Sequence, residues 1–367
     1  MTIKRVIVLG LLAFFSATTT IGLYLLSKDL IQTEGTFIRS FPPHPAEFDK
    51  QLDIHYNSYY FAGYDKGILY LGNYTAPLVV TAIDTSLIYS QEYRIQPESS
   101  NFTFKSLQLR VNPPYFYLSD GTVPCIYGGK INNWKAGLLM SDLAYFTLLE
   151  PVDSTRFVLR SNKSNTGENI LGTFDLRKED KLKLAENLLE KQSDGDGIFD
   201  TDGTLLYSKA TSKIIYVYHY RNQFVVADKQ AKLLYRGHTI DTTTKAQIKV
   251  AHIEKGNQLK MYAPPLTVNA HTAICEDLLF IHSTLRGKYD NIKHWSNAST
   301  IDVYNVTSGD YVMSFYIPKL KDASLRNFIV TPTQIFVLIE NQLMSYTISN
   351  TLQKELLKAK RNTALNQ

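Results

Sequence analysis

Residues 300–318 read TIDVYNVTSGDYVMSFYIP and contain two runs of strand-forming residues. Isoleucine and valine alternate with polar side chains over the first five positions, and a run rich in aromatic and β-branched residues begins at Tyr311. Such residues are enriched in β-strands. Between the two runs, Asn305–Asp310 contains Asn, Ser, Gly and Asp, the residue types that favour turns. The stretch therefore predicts an antiparallel strand–turn–strand unit.

The same kind of unit recurs along the chain, on both sides of this stretch. An apolar strand is followed by a loop of variable length, by a second strand that ends near a turn, and usually by a third strand. Six units start with the runs Ile68–Leu71, Tyr115–Ser119, Phe157–Ser161, Ile214–Tyr220, Leu278–Ser283 and Ile335–Ile339. Their average length of roughly 50 residues is typical of propeller blades. Because one unit cannot bury its apolar faces alone, the repeat predicts an all-β fold, a six-bladed β-propeller, with a further innermost strand before each unit.

The units also set the domain boundaries. Residues 51–349 form the predicted propeller, with an extended lead-in over 28–50 and a charged helical tail over 350–367. The last unit is one strand short, and Thr36–Phe41 (TFIRSF) is the candidate strand that closes the ring and covers its open edge. Apart from the tail, only 178–191, rich in Lys, Glu and Leu, has a helix-like composition.

In this pattern the chain resembles the six-bladed β-propellers of exported bacterial proteins, over about residues 36–349. The similarity is greatest in 300–318, which has an Asp on the first strand and a Gly-Asp turn. The sequence has no WD dipeptide, kelch glycine pair or NHL-type consensus, so the resemblance implies a fold and no specific site residues. A pair of packed β-sheets with long loops is the alternative, because the strand spacing fits both architectures.

Composition excludes several classes of protein. Of the 367 residues, 44% are hydrophobic and 20% are charged, a balance typical of globular proteins. The net charge of +5 is spread along the chain and forms no basic stripe, so no nucleic-acid partner is predicted. The two cysteines, Cys125 and Cys275, fall in the second and fifth units, on opposite sides of a six-membered ring. A disulfide needs Cα atoms within ~7 Å of each other, so we predict two free thiols.

The N-terminal segment predicts a membrane anchor. Residues 6–26 (VIVLGLLAFFSATTTIGLYLL) carry no charge, and 21 helical residues span roughly 30 Å, the thickness of a hydrocarbon core. Lys4 and Arg5 precede this run, and positive charge stays on the cytoplasmic side. We therefore expect residues 1–27 to be an uncleaved signal anchor and a transmembrane helix, with the propeller periplasmic or at the cell surface. A cleaved signal peptide is the alternative, although cleavage near Ser16 or Ala17 places phenylalanine at position −3.

Two sets of residues are candidates for ligand binding. The first set is predicted on or just before the innermost strands, where side chains from several blades converge on the channel mouth. It comprises His55, Arg110, Glu150, Lys209, His271 and Arg326. The second set lies on the long loop 286–299 (RGKYDNIKHWSNAS) and comprises Tyr289, His294 and Trp295. Long aromatic loops on rigid scaffolds often bind partners, and an ordered insertion without a ligand is the alternative.

An acidic run raises the question of a metal. Residues 193–203 (SDGDGIFDTDG) contain four carboxylates in nine residues: Asp194, Asp196, Asp200 and Asp202. Oxygen ligands of this kind suit calcium. However, Ile198 and Leu205 stand where an EF-hand needs ligands, and Asp-Gly pairs form turns without any metal. We expect a turn, with calcium as the alternative and no other cofactor.

The sequence contains no established catalytic or nucleotide-binding motif: GxSxG, HExxH, GxGxxG and the Walker loop are all missing. We therefore expect a non-catalytic binding or scaffold module for a peptide, an envelope protein or a glycan. The main alternative is a lactonase-like or lyase-like propeller enzyme with a metal at the axis. A structural subunit of an envelope complex is a third. The expected inner strands carry more Arg, Lys and His than Asp, which suits an anionic ligand better than a divalent cation.

Overall fold

A computed structural model of the chain describes residues 3–27, 35–98, 104–253 and 258–365. It begins with helix α1 (Ile3–Ser27), whose side chains are described for residues 7–23. Three consecutive threonines donate their hydroxyls to carbonyl oxygens four residues earlier, as in Thr19 Oγ1 to Phe15 O at 2.8 Å. None of the helices combines, over its described residues, the length and the hydropathy that a membrane span requires.

Strand β1 (Ala46–Asp53) comes next, and after it the chain forms successive antiparallel sheets. Blade 1 consists of β2 (Tyr59–Asp65), β3 (Ile68–Asn73), β4 (Val79–Asp84) and β5 (Ser90–Arg94). Blade 2 consists of β7 (Gln108–Asn112), β8 (Tyr115–Asp120), β9 (Cys125–Lys130) and β10 (Lys135–Ser141), with the short β6 (Gln96–Pro97) parallel to β10. Blade 3 consists of β11 (Leu148–Pro151), β12 (Arg156–Asn162), β13 (Asn169–Asp175) and β14 (Leu182–Ala185).

The second half of the ring repeats this order. Blade 4 consists of β15 (Gly203–Ser208), β16 (Lys213–Tyr218), β17 (Gln223–Asp228) and β18 (Leu233–His238). A two-stranded ribbon, β19 (Val250–Ile253) and β20 (Gln258–Met261), precedes blade 5. Blade 5 consists of β21 (Asn269–Cys275), β22 (Leu278–Ser283), β23 (Ala298–Asn305) and β24 (Tyr311–Pro318), with the short helix α2 (Ile292–Ser296) inserted before β23. Blade 6 consists of β25 (Asn327–Val330), β26 (Gln334–Ile339), β27 (Gln342–Ile348) and, as its outermost strand, β1.

Six hydrophobic clusters show that the ring is closed. Each cluster joins two neighbouring blades, and the six together include every interface, that between blades 6 and 1 among them. In that last interface, Leu69 and Leu71 of blade 1 pack with Phe336 and Leu338 of blade 6. Because each blade is covered on both faces, its middle strands are continuous apolar runs rather than alternating ones. The predicted six-bladed propeller is confirmed, and the two-sheet alternative is wrong.

The closing strand differs from the predicted one. It is β1, which pairs antiparallel with β27 from Ala46–Ile348 to Asp53–Gln342. The predicted closing segment Thr36–Phe41 lies instead along blade 5, where Ser40 accepts a hydrogen bond from the Ser314 amide at 2.8 Å. The side chains of this segment do alternate, because Phe37 and Arg39 are buried while Thr36, Ile38 and Ser40 are exposed. That alternation arises from packing against blade 5, so it does not identify a sheet strand.

Two other predicted elements can be compared with the structure. The helix-like composition of 178–191 is misleading, because this stretch contains β14, the outermost strand of blade 3, followed by a loop. The tail is helical, as α3 (Asn350–Leu365), and buries Leu352, Leu356 and Ala359 in the cluster between blades 5 and 6. Both cysteines are buried free thiols in blades 2 and 5, as predicted.

The two faces of the ring differ in their connections. We call the face where each innermost strand begins the upper face and the opposite one the lower face. Because the strands alternate in direction, successive connections lie at the lower and the upper face in turn. The lower-face hairpins are short, whereas the long connections lie at the upper face. The upper-face connections include residues 186–202, 239–253 with 258–268, 284–297 and 319–326.

Candidate functional site

A cavity of about 330 Å³ lies on the axis, and all six innermost strands line it. Its lining comprises 61–64 of β2, 110–112 of β7, 148, 150 and 151 of β11, 204–207 of β15 with Lys209, 272–274 of β21, and 327–329 of β25. The first residues of β2, β7 and β21 do not line the cavity, whereas the first residues of β11 and β25 do, and the lining continues past the end of β15 to Lys209. The cavity therefore occupies the middle of the ring and reaches the lower face at Lys209.

An ion pair between two blades forms the charged centre of the cavity wall. Arg110 of β7 places its Nε 2.7 Å from Oε1 of Glu150, on the neighbouring β11. The two side chains are only 23% and 20% exposed. Burial raises the pKa of Glu150, and the positive charge of Arg110 opposes that rise. The pair thus holds two charged groups in a fixed geometry within a partly desolvated wall.

Lys209 follows β15 directly and stands at the lower mouth of the cavity. Partial loss of hydration there lowers the pKa of its ammonium, and the charge of Asp65 opposes that shift. Asp65 is the last residue of β2, on another blade. The mouth thus carries a second, looser arrangement of opposite charges beside the Arg110–Glu150 pair.

The remaining wall combines amides with aromatic rings. Asn112 and Asn327 supply donor and acceptor groups, and Tyr64, Tyr207 and Phe328 supply flat apolar surface. Concave sites with a few converging polar groups on a largely apolar wall are typical of binding pockets for small organic groups. The arrangement can orient a polar ligand or the side chain of a bound peptide.

Three of the six predicted channel residues meet in this cavity: Arg110, Glu150 and Lys209. His271 lies on an innermost strand, as predicted, but packs against His282 of the adjacent strand, with ring centroids 5.7 Å apart. Arg326 precedes β25 and donates to the carbonyl oxygens of Tyr59 and Glu340, which links blades 6 and 1.

His55 lies just before β2, the innermost strand of blade 1, but does not line the cavity. It lies in the upper-face connection between β1 and β2, not on an innermost strand, and its side chain is 80% exposed. The reason is the closing strand: because β1 occupies 46–53, the residues just after it belong to the blade-to-blade connection. Sequence analysis did not identify four other residues of the cavity wall: Asn112, Asn327, Tyr64 and Tyr207. They stand near the ends of short innermost strands, within a few residues of the recognisable second strand, and that spacing was the available signal.

The predicted rim residues lie together on the upper face. Tyr289, His294 and Trp295 all belong to the connection 284–297, where Asn291 caps α2 by accepting from the amides of residues 293 and 294. Tyr289 is 70% exposed, and the ring of His294 contacts that of Tyr316 edge-on at 5.9 Å. No cavity residue belongs to this connection, so the rim loop and the axial cavity are separate surfaces.

Two of the four carboxylates in the acidic run accept hydrogen bonds from backbone amides of the same loop. Asp196 accepts hydrogen bonds from the amides of residues 198 and 199, and Asp200 accepts from those of Gln192 and Gly197. Asp202 pairs with Arg160, and Asp194 is exposed. These contacts are those of turns. In the described part of the chain, no group of three or more His, Cys, Asp or Glu side chains could hold a metal ion.

Comparison with known proteins shows similarity of fold. No model of a protein family matches the sequence, and no curated protein is significantly similar to it. The crystal structure of a DUF4221 family member from Bacteroides vulgatus matches with a TM-score of 0.53 and 10% identity, over 87% of this chain and 99% of that one. The crystal structure of a nidogen/laminin complex matches with a TM-score of 0.41 and 10% identity, over 71% of this chain and 79% of that one. The crystal structure of a mitotic checkpoint complex matches with a TM-score of 0.47 and 9% identity, over 86% of this chain and 99% of that one. At such identities the first match supports the fold alone.

Proposed function

We propose that this protein is a non-catalytic binding module, a propeller tethered to the outer side of a membrane that binds a peptide, a protein segment or a glycan in its axial cavity. The observation that carries the proposal is the cavity itself, which residues from all six innermost strands line around the Arg110–Glu150 pair. A site assembled from six rigid strands is pre-organised, so little ordering free energy is lost on binding.

The composition of the wall favours binding over metal-assisted catalysis. An axial metal requires several carboxylate or amide oxygens directed at one point. Glu150 is the one carboxylate among the lining residues, and it is already bonded to Arg110. Tyrosine and asparagine side chains next to a fixed ion pair instead suit ligands with hydroxyl, amide or carboxylate groups, such as sugars and peptides.

A charge reversal at the cavity mouth tests this proposal. The full chain in detergent is titrated against defined peptide and glycan arrays, and the best ligand is then measured by calorimetry. We expect Lys209→Glu to weaken binding of an anionic ligand by at least about tenfold, since an opposite charge near a partly desolvated group contributes more than about 1.4 kcal/mol. Lys229→Glu makes the same charge change on an outer lower-face hairpin of the same blade and should leave binding unchanged. Equal effects of both variants would contradict the cavity as the site.

The tether is supported by the N-terminal sequence. The 21 residues 6–26 carry no charge, and the described side chains of α1 include Phe14 and Phe15, which are 71% and 72% exposed. Lys4 and Arg5 mark the cytoplasmic end under the positive-inside rule. This arrangement leaves the propeller on the outer side of the membrane.

Fractionation of cells that express the full chain tests the tether. We expect the chain to stay in the membrane after an alkaline wash, and a C-terminal tag to be cleaved by protease added outside. Replacement of Leu11, Leu12 and Phe15 by lysine should release the chain, whereas Leu-to-Ile changes at 11 and 12 should not. Retention of the lysine variant, or protection of the tag in intact cells, would contradict the tether or its orientation.

A further inference from the structure

We propose that one sector of the upper face docks onto anionic lipid headgroups, so that the propeller stands on the membrane in a fixed orientation. This inference rests on the tether proposed above. The sector consists of the exposed residues that the structure describes in three connections, 239–268 without 251–259, 284–297 and 319–326, and is called the lysine face below.

The three connections form one continuous surface. The amide of Thr284 donates to Val268 O at 3.1 Å, which joins the first connection to the second. The amide of Lys319 donates to Asn297 O at 2.9 Å, which joins the second to the third. The lysine face therefore extends over blade 5 from the side of blade 4 to that of blade 6.

The charge of the lysine face is one-sided. In the described residues of the three connections, six lysines are exposed: Lys245, Lys249, Lys260, Lys288, Lys293 and Lys321. Against them stands one exposed carboxylate, Asp322, because Asp241 and Asp290 are 4% and 6% exposed. Clustered lysines of this kind are attracted to anionic bilayer surfaces.

Apolar side chains project among these lysines. Tyr262, Tyr289 and Ile292 are 79%, 70% and 62% exposed. Tyrosine is enriched at the membrane–water interface, where its ring lies at the depth of the headgroups. Lysines together with exposed aromatic and aliphatic side chains are the composition of surfaces that lie on membranes.

The chain enters the propeller beside this same face. The amide of Gly35 donates to Arg286 O at 3.0 Å, and that of Lys288 to Phe37 O at 2.8 Å. Helix α1 ends at Ser27, and eight residue steps reach at most about 28 Å. A membrane that holds α1 is therefore within reach of the connection that carries Lys288 and Lys293.

The neighbouring sector gives the direction of tilt. The connection 186–202, between blades 3 and 4, carries three exposed carboxylates, those of Glu186, Glu190 and Asp194, against one exposed lysine, Lys191. Anionic headgroups repel this acidic sector and attract the lysine face, so blade 5 should be nearest the bilayer. The mouth of the axial cavity at Lys209, on the lower face, then faces away from the membrane.

The two tryptophans provide the test. Trp295 is half-buried in the connection 284–297, beside Lys293 of the lysine face, whereas Trp134 is 4% exposed within blade 2. The full chain is reconstituted in vesicles of phosphatidylcholine, or of phosphatidylcholine with phosphatidylglycerol, each with headgroup-spin-labelled lipid as a quencher of fluorescence. We expect stronger quenching in the anionic vesicles, and we expect Trp295→Phe to abolish it.

Charge variants distinguish docking through the lysine face from a general attraction between any exposed lysines and anionic lipid. We expect the combination Lys288→Glu, Lys293→Glu and Lys321→Glu to reduce the docked population by more than about tenfold in anionic vesicles, as the three charges change from attractive to repulsive. The combination Lys130→Glu, Lys178→Glu and Lys229→Glu changes the same charge on exposed lower-face positions and should leave quenching intact.

Flotation after an alkaline wash measures insertion of α1 independently. If the chain does not float, the tether is wrong and the docking proposal fails with it. If the chain floats but Trp295 is not quenched in anionic vesicles, the docking proposal alone is overturned, and an acidic protein becomes the expected partner of the lysine face. Quenching that is equal in both lipids and in both triple variants would also overturn it.

Discussion

Arg39 attaches the lead-in to blade 5 through a buried ionic cluster. Its guanidinium bonds to Asp302, with Nε 2.7 Å from Oδ1, and to Asp290, and it also donates to Ser283. The three charged side chains are between 0% and 3% exposed. Loss of one partner from such a cluster leaves unpaired charge in a desolvated site.

We expect Arg39→Met to lower the free energy of unfolding by about 3–5 kcal/mol, because two buried carboxylates lose their counter-charge. The measurement is urea unfolding followed by tryptophan fluorescence. Arg177→Met is the matched control, since Arg177 is 60% exposed in its pair with Asp175, and ion pairs exposed to solvent contribute little to stability. A loss below about 1 kcal/mol for Arg39→Met would contradict the cluster.

The stacked histidines make stability depend on pH. Burial lowers the pKa of His271 to about 4, with His219 and Arg326 adding repulsion, and lowers that of His282 to about 3, with His271 and Lys319 adding repulsion. Both values lie below the unfolded value of 6.5. The unfolded chain therefore binds more protons below pH 6.5, so this contribution is complete above that pH and is lost as the pH falls toward 4.

We expect His282→Gln to flatten the dependence of unfolding free energy on pH between 6.5 and 4. Each buried neutral histidine changes the unfolding constant by up to about tenfold per pH unit in this window. The measurement is urea unfolding at several pH values, and the difference between variant and parent removes the contribution of other groups. His55→Asn, at an exposed position with φ 64°, is the control. Parallel profiles for His282→Gln and the parent would exclude the histidine pair as the cause.

The sequence predicts the middle strands of each blade well and the edge strands poorly. Middle strands such as β22 and β26 are almost wholly buried, and their apolar runs are visible without any partner. Strand β1 (AEFDKQLD) has mostly exposed side chains, so hydrophobic pattern carries no sign of its pairing with β27. Strand β14 has helix-forming residues but is set by its pairing with β13, because tertiary context overrides propensity.

The site residues that could be predicted are likewise those that lie next to strands recognisable in the sequence. Arg110, Glu150 and Lys209 were predictable because they precede recognisable second strands by a few residues. Short innermost strands leave their register undetermined in the sequence, and a shift of one residue turns a side chain from the channel into a blade interface. His271 illustrates this, since it lies on the predicted strand but contacts His282.

Closure by β1 predicts where a proline is harmful. Leu52→Pro removes a backbone donor that faces Leu343, on β27, and we expect a loss of about 1–3 kcal/mol together with increased aggregation from the opened edge. Thermal unfolding and light scattering measure the two effects. Ile38→Pro, in the segment that does not close the ring, should change neither by a comparable amount. The reverse order of severity would mean that 36–41 is the closing segment after all.

At the scale of the whole ring, the arrangement of the six blades decides whether the two cysteines can form a disulfide. Cys125 and Cys275 lie in opposite blades and are both free and buried. Burial raises the pKa of Cys275 to about 12 and also raises that of Cys125, so both stay as unreactive thiols near neutral pH.

We expect the folded protein to resist alkylation and the unfolded protein to gain two labels without any reducing agent. Intact mass spectrometry measures both states, and a sample reduced before unfolding is the control. A parent that gains two labels only after reduction would show a disulfide, which the six-bladed ring does not permit between opposite blades.

The pairing of β1 with β27 also delays maturation during synthesis. Residue 53 leaves the ribosome 289 residues before residue 342, the first of β27 to meet it. At about 5–20 residues per second, the first strand waits roughly 15–60 seconds for its partner. Blades 1 to 5 can collapse meanwhile, yet the ring stays open at one edge until translation is nearly complete. A chaperone that covers this edge would therefore act late, on an almost full-length chain.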